Sequence, residues 1–387
     1  MKKIITATAV SATFACAAHA QSSVTLYGIV DAGLTYVSNE VSKDSTVTSD
    51  GRVTGGKAMV GMTGGNVQAS RWGLRGVEDL GGGLKTVFNL ESGFNIANGK
   101  PAVANTLFNR QAYVGLSNEY GTVSFGRQYD SVVDYLAPLT AAGSWGGTYF
   151  AHYGDNDNAN SSISVNNSVK FQSANYGGFS MSGLYGFSNN AGFADNRAYS
   201  VGAGYRNGGL QLGAAYLQYQ GMDLNQSNGA VNGGTFAASA VSGVQNQRTW
   251  GLGGSYAFGP FVVGTVFTQS RFQDKFSDIS VRYNNYEVNA RYNLTPELGL
   301  GAAYTYTQAL RAAPGTSDTN TGAAHWNQFG LQADYSLSKR TDLYAEAVTQ
   351  LGANNGRGLN TVQINGTSAP STASNQFLVT TGIRHRF

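Results

Sequence analysis

Tyr286-Glu287-Val288-Asn289-Ala290-Arg291-Tyr292-Asn293-Leu294 sets Tyr, Val, Ala, Tyr and Leu on one face of an extended chain and Glu, Asn, Arg and Asn on the other. Successive side chains of a strand point to opposite sides, so this split is a two-faced strand. The polar face cannot sit in a dry core, because buried unpaired charge is too costly. It can line water. The same division recurs over residues 298–307, where Leu298, Leu300, Ala302, Tyr304 and Tyr306 alternate with Gly299, Gly301, Ala303, Thr305 and Thr307. It recurs again over 199–206 and 250–258. One such segment is weak evidence; many in succession describe a sheet with one apolar and one wet face.

The connections take turns between two lengths. Tight turns fall at 79–82, 118–121, 176–178, 207–209, 258–260, 295–297 and 338–341. Between them lie longer polar stretches such as 38–66, 131–165, 221–247, 312–324 and 352–375. Seven short turns and eight long loops would join sixteen strands and leave both chain ends on the short-turn rim. There the first and last strands can pair. In hydrocarbon an open sheet edge has no hydrogen-bond partner, so closure is required. About sixteen strands enclose an aqueous channel, whereas about eight would be filled by side chains. The expected fold is therefore all-β: a 16-stranded antiparallel transmembrane β-barrel with short periplasmic turns and long extracellular loops.

Residues 1–20 are read as a cleaved signal peptide and 21–387 as the barrel domain. Lys2 and Lys3 precede an apolar stretch that ends in Ala18-His19-Ala20, an A-x-A cleavage pattern. A lipoprotein signal at Cys16 is the alternative, but Thr13-Phe14-Ala15 lacks the leucine usual there. Cys16 is the only cysteine, so the exported chain has no disulfide. The formal charge of +3 falls by two with Lys2 and Lys3, leaving no basis for a nucleic-acid partner. No apolar run after the signal approaches the ~20 residues of a membrane helix.

Phe387 closes the chain. Counting back in twos gives His385, Ile383, Thr381, Val379 and Phe377, with Arg386 and Arg384 on the opposite face. An outward terminal aromatic fits a barrel rim, as a C-terminal barrel-assembly residue. Taken alone, this segment also fits a soluble edge strand that ends by chance in Phe.

Several motifs carry a family resemblance across the whole chain. They are 23–28 (SVTLYG) with Asp31 and Gly33, 70–76 (SRWGLRG), 78–85 (EDLGGGLK), 109–116 (NRQAYVGL), 125–128 (FGRQ) and 382–387 (GIRHRF). With these the sequence resembles the general Gram-negative porins, most closely the neisserial and betaproteobacterial type. The resemblance implies an outer-membrane homotrimer whose third loop folds inward and narrows a water-filled pore, with basic residues on the wall facing acids on the loop. That loop would be about 131–165. Arg71 and Arg110 match wall arginines at the constriction. Arg75, Lys85 and Lys170 share the inward parity, because Trp72, Leu74, Phe88, Val169 and Phe171 take the other face. Arg127 shares the parity of Val123 and Phe125, so it reaches the lumen only if the strand ends or bulges near Gly126. The sixth-strand position where enterobacterial relatives carry a further arginine reads Asn166 or Asn167. Candidate loop acids are Asp134, then Asp130, Asp155 and Asp157, each of which also reads as an ordinary loop acid.

The implied activity is passive diffusion of ions and small hydrophilic solutes, in contact with outer-membrane lipid and lipopolysaccharide and with no cofactor or metal. An enzyme is the rival class. His152, His325 and His385 are widely spaced, with no metal-ligand cluster and no cysteine beside them. A surface-binding barrel is the second rival, since 221–247 and 352–375 are rich in Asn, Ser, Thr and Gly. A substrate-selective channel is the third; Tyr27, Tyr219 and Tyr344 have lumenal parity but parity alone shows no track. Export should remove residues 1–20, so the intact mass of the mature chain should correspond to Gln21 as N-terminus. A mass retaining Met1, or an acylated Cys16, would contradict this.

Overall fold

The alternating segments form one antiparallel sheet that closes on itself, in a computed structural model that describes residues 23–48, 53–222, 228–231, 245–274, 279–312, 322–354 and 362–387. The signal segment 1–20 and much of the 221–247 stretch lie outside the described residues. Sixteen barrel strands follow in chain order: β1 Ser23–Glu40, β2 in two segments (Lys57–Gly64 and Arg71–Gly81), β3 Leu84–Gly93, β4 Gln111–Asn118, β5 Gly121–Gln128, β6 Val165–Ser173, β7 Phe179–Gly186 and β8 Arg197–Asn207. The second half comprises β9 Leu210–Met222, β10 Gln245–Phe258, β11 Phe261–Asp274, β12 Ser280–Asn293, β13 Leu298–Ala312, β14 Gly322–Ser336, β15 Thr341–Asn354 and β16 Asn375–Arg386. Each strand pairs with the next, and β16 pairs with β1 from Ile29↔Arg386 to Val37↔Leu378.

Phe387 completes the seam. Its N–H donates to the Gly28 carbonyl, and the Gly28 N–H donates back, both at 3.1 Å. A Cβ at Gly28 would lie 2.3 Å from the Phe387 ring, so glycine lets the terminal aromatic lie across β1. Phe377, Val379 and Ile383 face outward, whereas Gln376, Thr380 and Arg384 are buried on the inner side. The same holds on β12, where Tyr286, Val288 and Tyr292 are exposed and Asn285, Glu287 and Asn289 point in.

Two connections differ from their sequence reading. The stretch 38–66 holds the end of β1, a small ribbon (Thr46–Val47 with Val53–Thr54) and the first segment of β2. Its Gly, Thr and Met residues hide a strand because neither face is strongly apolar. The connection between β11 and β12, on the long-loop rim, spans only 275–279. All seven short turns fall where the sequence placed them.

The third long loop, 129–164, packs against the lumenal wall. Asp130 caps helix α1 (Ser131–Tyr135), its carboxylate accepting from the Val132 and Val133 N–H groups at 2.7 and 3.4 Å. Short 3-10 and π turns then carry the chain along the wall. Three apolar clusters hold it: Val132 and Leu136 with Leu217 and Tyr219, Tyr153 with Phe272, Tyr283 and Trp326, and Trp145, Tyr149 and Phe150 with Val37, Val348 and Leu378. The wall beneath is thinned for it. A Cβ at Gly301 would lie 2.4 Å from Trp145, and one at Gly330 would lie 2.3 Å from Phe150.

His152 pins the middle of the loop to β12. Its Nδ1 lies 2.6 Å from Asp157 and its Nε2 3.0 Å from Glu287, all three side chains fully buried. Facing a carboxylate at each nitrogen, the ring is doubly protonated. Burial works against the imidazolium, but Asp157 and Glu287 outweigh it and raise its pKa to about 10. Glu287 also accepts from the Ala141 N–H (2.7 Å) and Asn289 (2.6 Å). Breaking a buried ion pair from one side costs roughly 3–5 kcal/mol. His152→Gln should therefore loosen the loop while leaving the barrel closed, read as new protease cleavage within 129–164 of the folded protein. Because the histidine pKa is raised on folding, its contribution is full below the unfolded value of about 6.5 and is lost as pH rises through about 10. Loop cleavage should increase over that window. Equal resistance of wild type and variant would refute the anchor.

Candidate functional site

The wall opposite the anchored loop is built by β1–β5, and its inward side chains make one charged cluster. Arg110 Nε lies 2.6 Å from Glu91 Oε1, and Arg71 Nε is 4.0 Å from Glu91 Oε2. Two guanidiniums thus share one carboxylate. The Tyr27 hydroxyl sits 2.8 Å from both Glu91 Oε2 and Asn89 Oδ1. Arg75 lies over the Tyr27 ring at 5.2 Å, and Arg110 over the Tyr129 ring at 5.7 Å. Cross-strand register explains the meeting: Arg71 stands opposite Gly93, Arg75 opposite Asn89, and Glu91 opposite Gln111. A recess of about 450 Å³ opens beside this cluster, lined by Thr25, Tyr27, Arg75, Asn89, Gln111 and Tyr113 among others.

The remaining basic candidates are spread out. Arg75 stands four residues from Arg71 along β2, about 14 Å by strand rise. Lys85 is exposed near the short-turn end of β3, opposite Asp79. Arg127 follows Gly126, where the β5–β6 register shifts, and its guanidinium donates to the Asn109 carbonyl (2.9 Å) and to Asn166. The extra residue at this shift lies on β6, where Asn166 and Asn167 stand opposite Arg127 alone, and Asn166 accepts from its guanidinium. Lys170 donates to the Tyr129 carbonyl (2.8 Å) and pairs with Asp134 at 2.7 Å, while Ser182 donates to the same carboxylate at 3.0 Å.

The loop acids divide. Asp134 is partly exposed and held by Lys170. Asp130, Asp155 and Asp157 are 0%, 1% and 0% exposed, so their carboxylates are enclosed within the loop or between it and the wall. Asp130 accepts from Asn158 (2.6 Å) and Tyr219 (3.3 Å) besides capping α1, and burial raises its pKa to about 6. Asp155 accepts from the Asn160 and Ser162 N–H groups; burial and then Asp157 raise it to about 7. Asp157 is saturated by His152, Thr268 and the Ala159 N–H. Gly143 and Ser144, the residues the loop exposes near its middle, carry no charge. Tyr219 and Tyr344 are locked on Asp130 and on Asp31 (2.6 Å), so with Tyr27 they form no track.

Glu91 is the site residue the sequence reading missed. The signal was there: counting in twos from Lys85 gives Val87, Asn89 and Glu91 on the same inward face.

Known proteins match this architecture along its length. A family model described as Gram-negative porin covers residues 7–355. An outer membrane porin protein of Bordetella pertussis is 34% identical over 89% of this chain and 93% of its own length. Outer membrane porin protein 32 of Delftia acidovorans is 32% identical over 89% and 88%. Among solved structures, an anion-selective porin from Comamonas acidovorans superposes with a TM-score of 0.69 at 25% identity, covering 95% of this chain and all of that one. The trimer form of OmpT from Vibrio cholerae shares the fold at 16% identity, with a TM-score of 0.63 over 95% and 99%. These likenesses point to a channel rather than an enzyme. The chain belongs to the Gram-negative porin family and forms a passive-diffusion channel in the bacterial outer membrane.

Proposed function

We propose that this channel favours anions and small anionic hydrophilic solutes, that it is selected at the Arg71–Glu91–Arg110 cluster, and that it works as a homotrimer after loss of residues 1–20. The observation that carries the selectivity is the sharing of one carboxylate by two arginines, with a further basic residue, Arg75, on the same inward face over the Tyr27 ring. The opposite side supplies little compensation. Asp134 is neutralised by Lys170, and the other three loop acids are buried within the loop or between it and the wall. A wall carrying net positive charge in a narrow, low-dielectric section concentrates anions and repels cations. The transverse field implied by the family resemblance becomes, in this reading, a field from a basic wall onto a near-neutral loop.

The anion selectivity named for the Comamonas relative supports the same sign. For the trimer, support comes from this part of the wall: among the described residues the first segment of β2 pairs with β1 alone, and β4 and β5 are only eight residues each.

Charge changes at the cluster should move selectivity in opposite directions. Arg71→Gln or Arg110→Gln should shift the zero-current potential in a salt gradient toward cations, and Glu91→Gln should shift it further toward anions. Unchanged potentials in all three variants would remove the cluster from the selectivity filter.

A further inference from the structure

Three arginines stand side by side on the outside of the barrel. Arg248 on β10 is in direct register with Arg271 on β11, which is in direct register with Arg282 on β12. All three are exposed. Their strand neighbours on the same face, Trp250, Leu252, Tyr286 and Val288, are exposed as well, while Gln247, Thr249, Ser270, Val281 and Tyr283 of the other parity are buried inside. The row therefore belongs to the lipid-facing surface. It lies at the long-loop end of those strands, a few residues from the 275–279 connection.

Like charges directly opposite one another across strands destabilise a sheet. Here three occur in succession, and none has a carboxylate partner among the described residues; the one polar contact is Arg271 to Ser280 at 3.4 Å. Two residues along the strands, about 7 Å, comes a row of amides, in which Trp250 Nε1 donates to Gln269 (3.3 Å) and Gln269 to Asn284 (2.8 Å). A further step gives Leu252, Phe267 and Tyr286, the last two with rings 5.0 Å apart. From aromatic to amide to guanidinium, the surface reproduces the profile of a bilayer passing from hydrocarbon through the polar interface to the phosphates. With strands about 4.8 Å apart, the row spans about 10 Å, enough to engage more than one phosphate.

We infer that Arg248, Arg271 and Arg282 form a docking site for the phosphates of a phosphorylated glycolipid in the outer leaflet, that is, the lipid A part of lipopolysaccharide. The arginines supply the countercharge that a phosphate-rich headgroup otherwise takes from cations, and the lipid relieves the repulsion within the row. This rests on the outer-membrane assignment with the long-loop rim outward, and names a partner for a surface that the pore does not use.

The test is binding of diphosphorylated lipid A to the purified full-length protein in detergent, for wild type and for R248Q/R271Q/R282Q. Wild type should bind on the order of a hundredfold more tightly than the variant. Dephosphorylated lipid A should bind both weakly and alike, and inorganic phosphate at equal concentration should not displace the lipid. Conductance of the variant should equal that of wild type, which shows a folded barrel and separates this proposal from the channel reading. Equal binding by both proteins, or equal binding of the dephosphorylated lipid, would overturn the proposal. So would displacement by inorganic phosphate, or a changed oligomeric mass with lipid binding intact, which would make the row a protein interface.

Discussion

Everything in this molecule depends on the pairing of its first strand with its last. A sheet immersed in hydrocarbon has no water to satisfy a free edge, so the β1–β16 ladder is what permits the other strands to exist in a membrane. The chain makes that seam with backbone bonds from Ile29 to Val37 and reinforces it from inside. Asp31 accepts from the Tyr344 hydroxyl and from the Val67 and Gln68 N–H groups, and Arg384 pairs with Asp342 and Asp334. These bonds tie β1 to β15 and the kink in β2, and β16 to β14 and β15. Closure also fixes parity, and parity sends polar groups inward in every strand.

A polar, enclosed lumen then changes what a core can be. Among the described residues the buried apolar clusters are not between sheets but between the wall and its loops, chiefly the third, with Ala230, Val231, Val362 and Ile364 added from two others. Trp145 and Phe150 settle onto Gly301 and Gly330 because no Cβ stands in the way. Charges that would be costly in a dry interior are held here by several partners each, as at His152 between Asp157 and Glu287. Three of the loop's acids are spent on holding its fold and Asp134 on Lys170, which leaves Arg71 and Arg110 with Glu91 as their one shared carboxylate. Loop packing and pore electrostatics are thus one problem.

Much of this was legible in the sequence, because period-two alternation is local. Most strands, the inward Arg75 and the outward Phe387 follow from counting in twos, whereas Arg71 and Arg110 rest on the family resemblance; Arg110 shares the parity of the outward Val114 and Leu116 and meets Glu91 from just before β4. Glu91 was equally countable, since it shares the inward parity of Lys85, but its meeting with Arg71 and Arg110 follows only from the strand register. The register shift beside Arg127 was readable only as a condition on Gly126. The loop acids were beyond reach: α1 and the irregular turns after it have no period, so nothing local says that Asp130, Asp155 and Asp157 turn inward to Asn158, Ser162 and His152. Lumenal glycine suggested open space, whereas at Gly301 and Gly330 it is the seat of the loop. The arginine row is invisible in one dimension, because Arg248, Arg271 and Arg282 become neighbours only once the strand register is known.

The central claim is a water-filled pore whose narrow section is dominated by basic residues. Recording the wild-type protein in a planar bilayer across a potassium chloride gradient tests it most directly. The account predicts discrete conductance steps and a zero-current potential of the sign given by chloride moving faster than potassium. A potential of the opposite sign, or the absence of conductance steps, would contradict it.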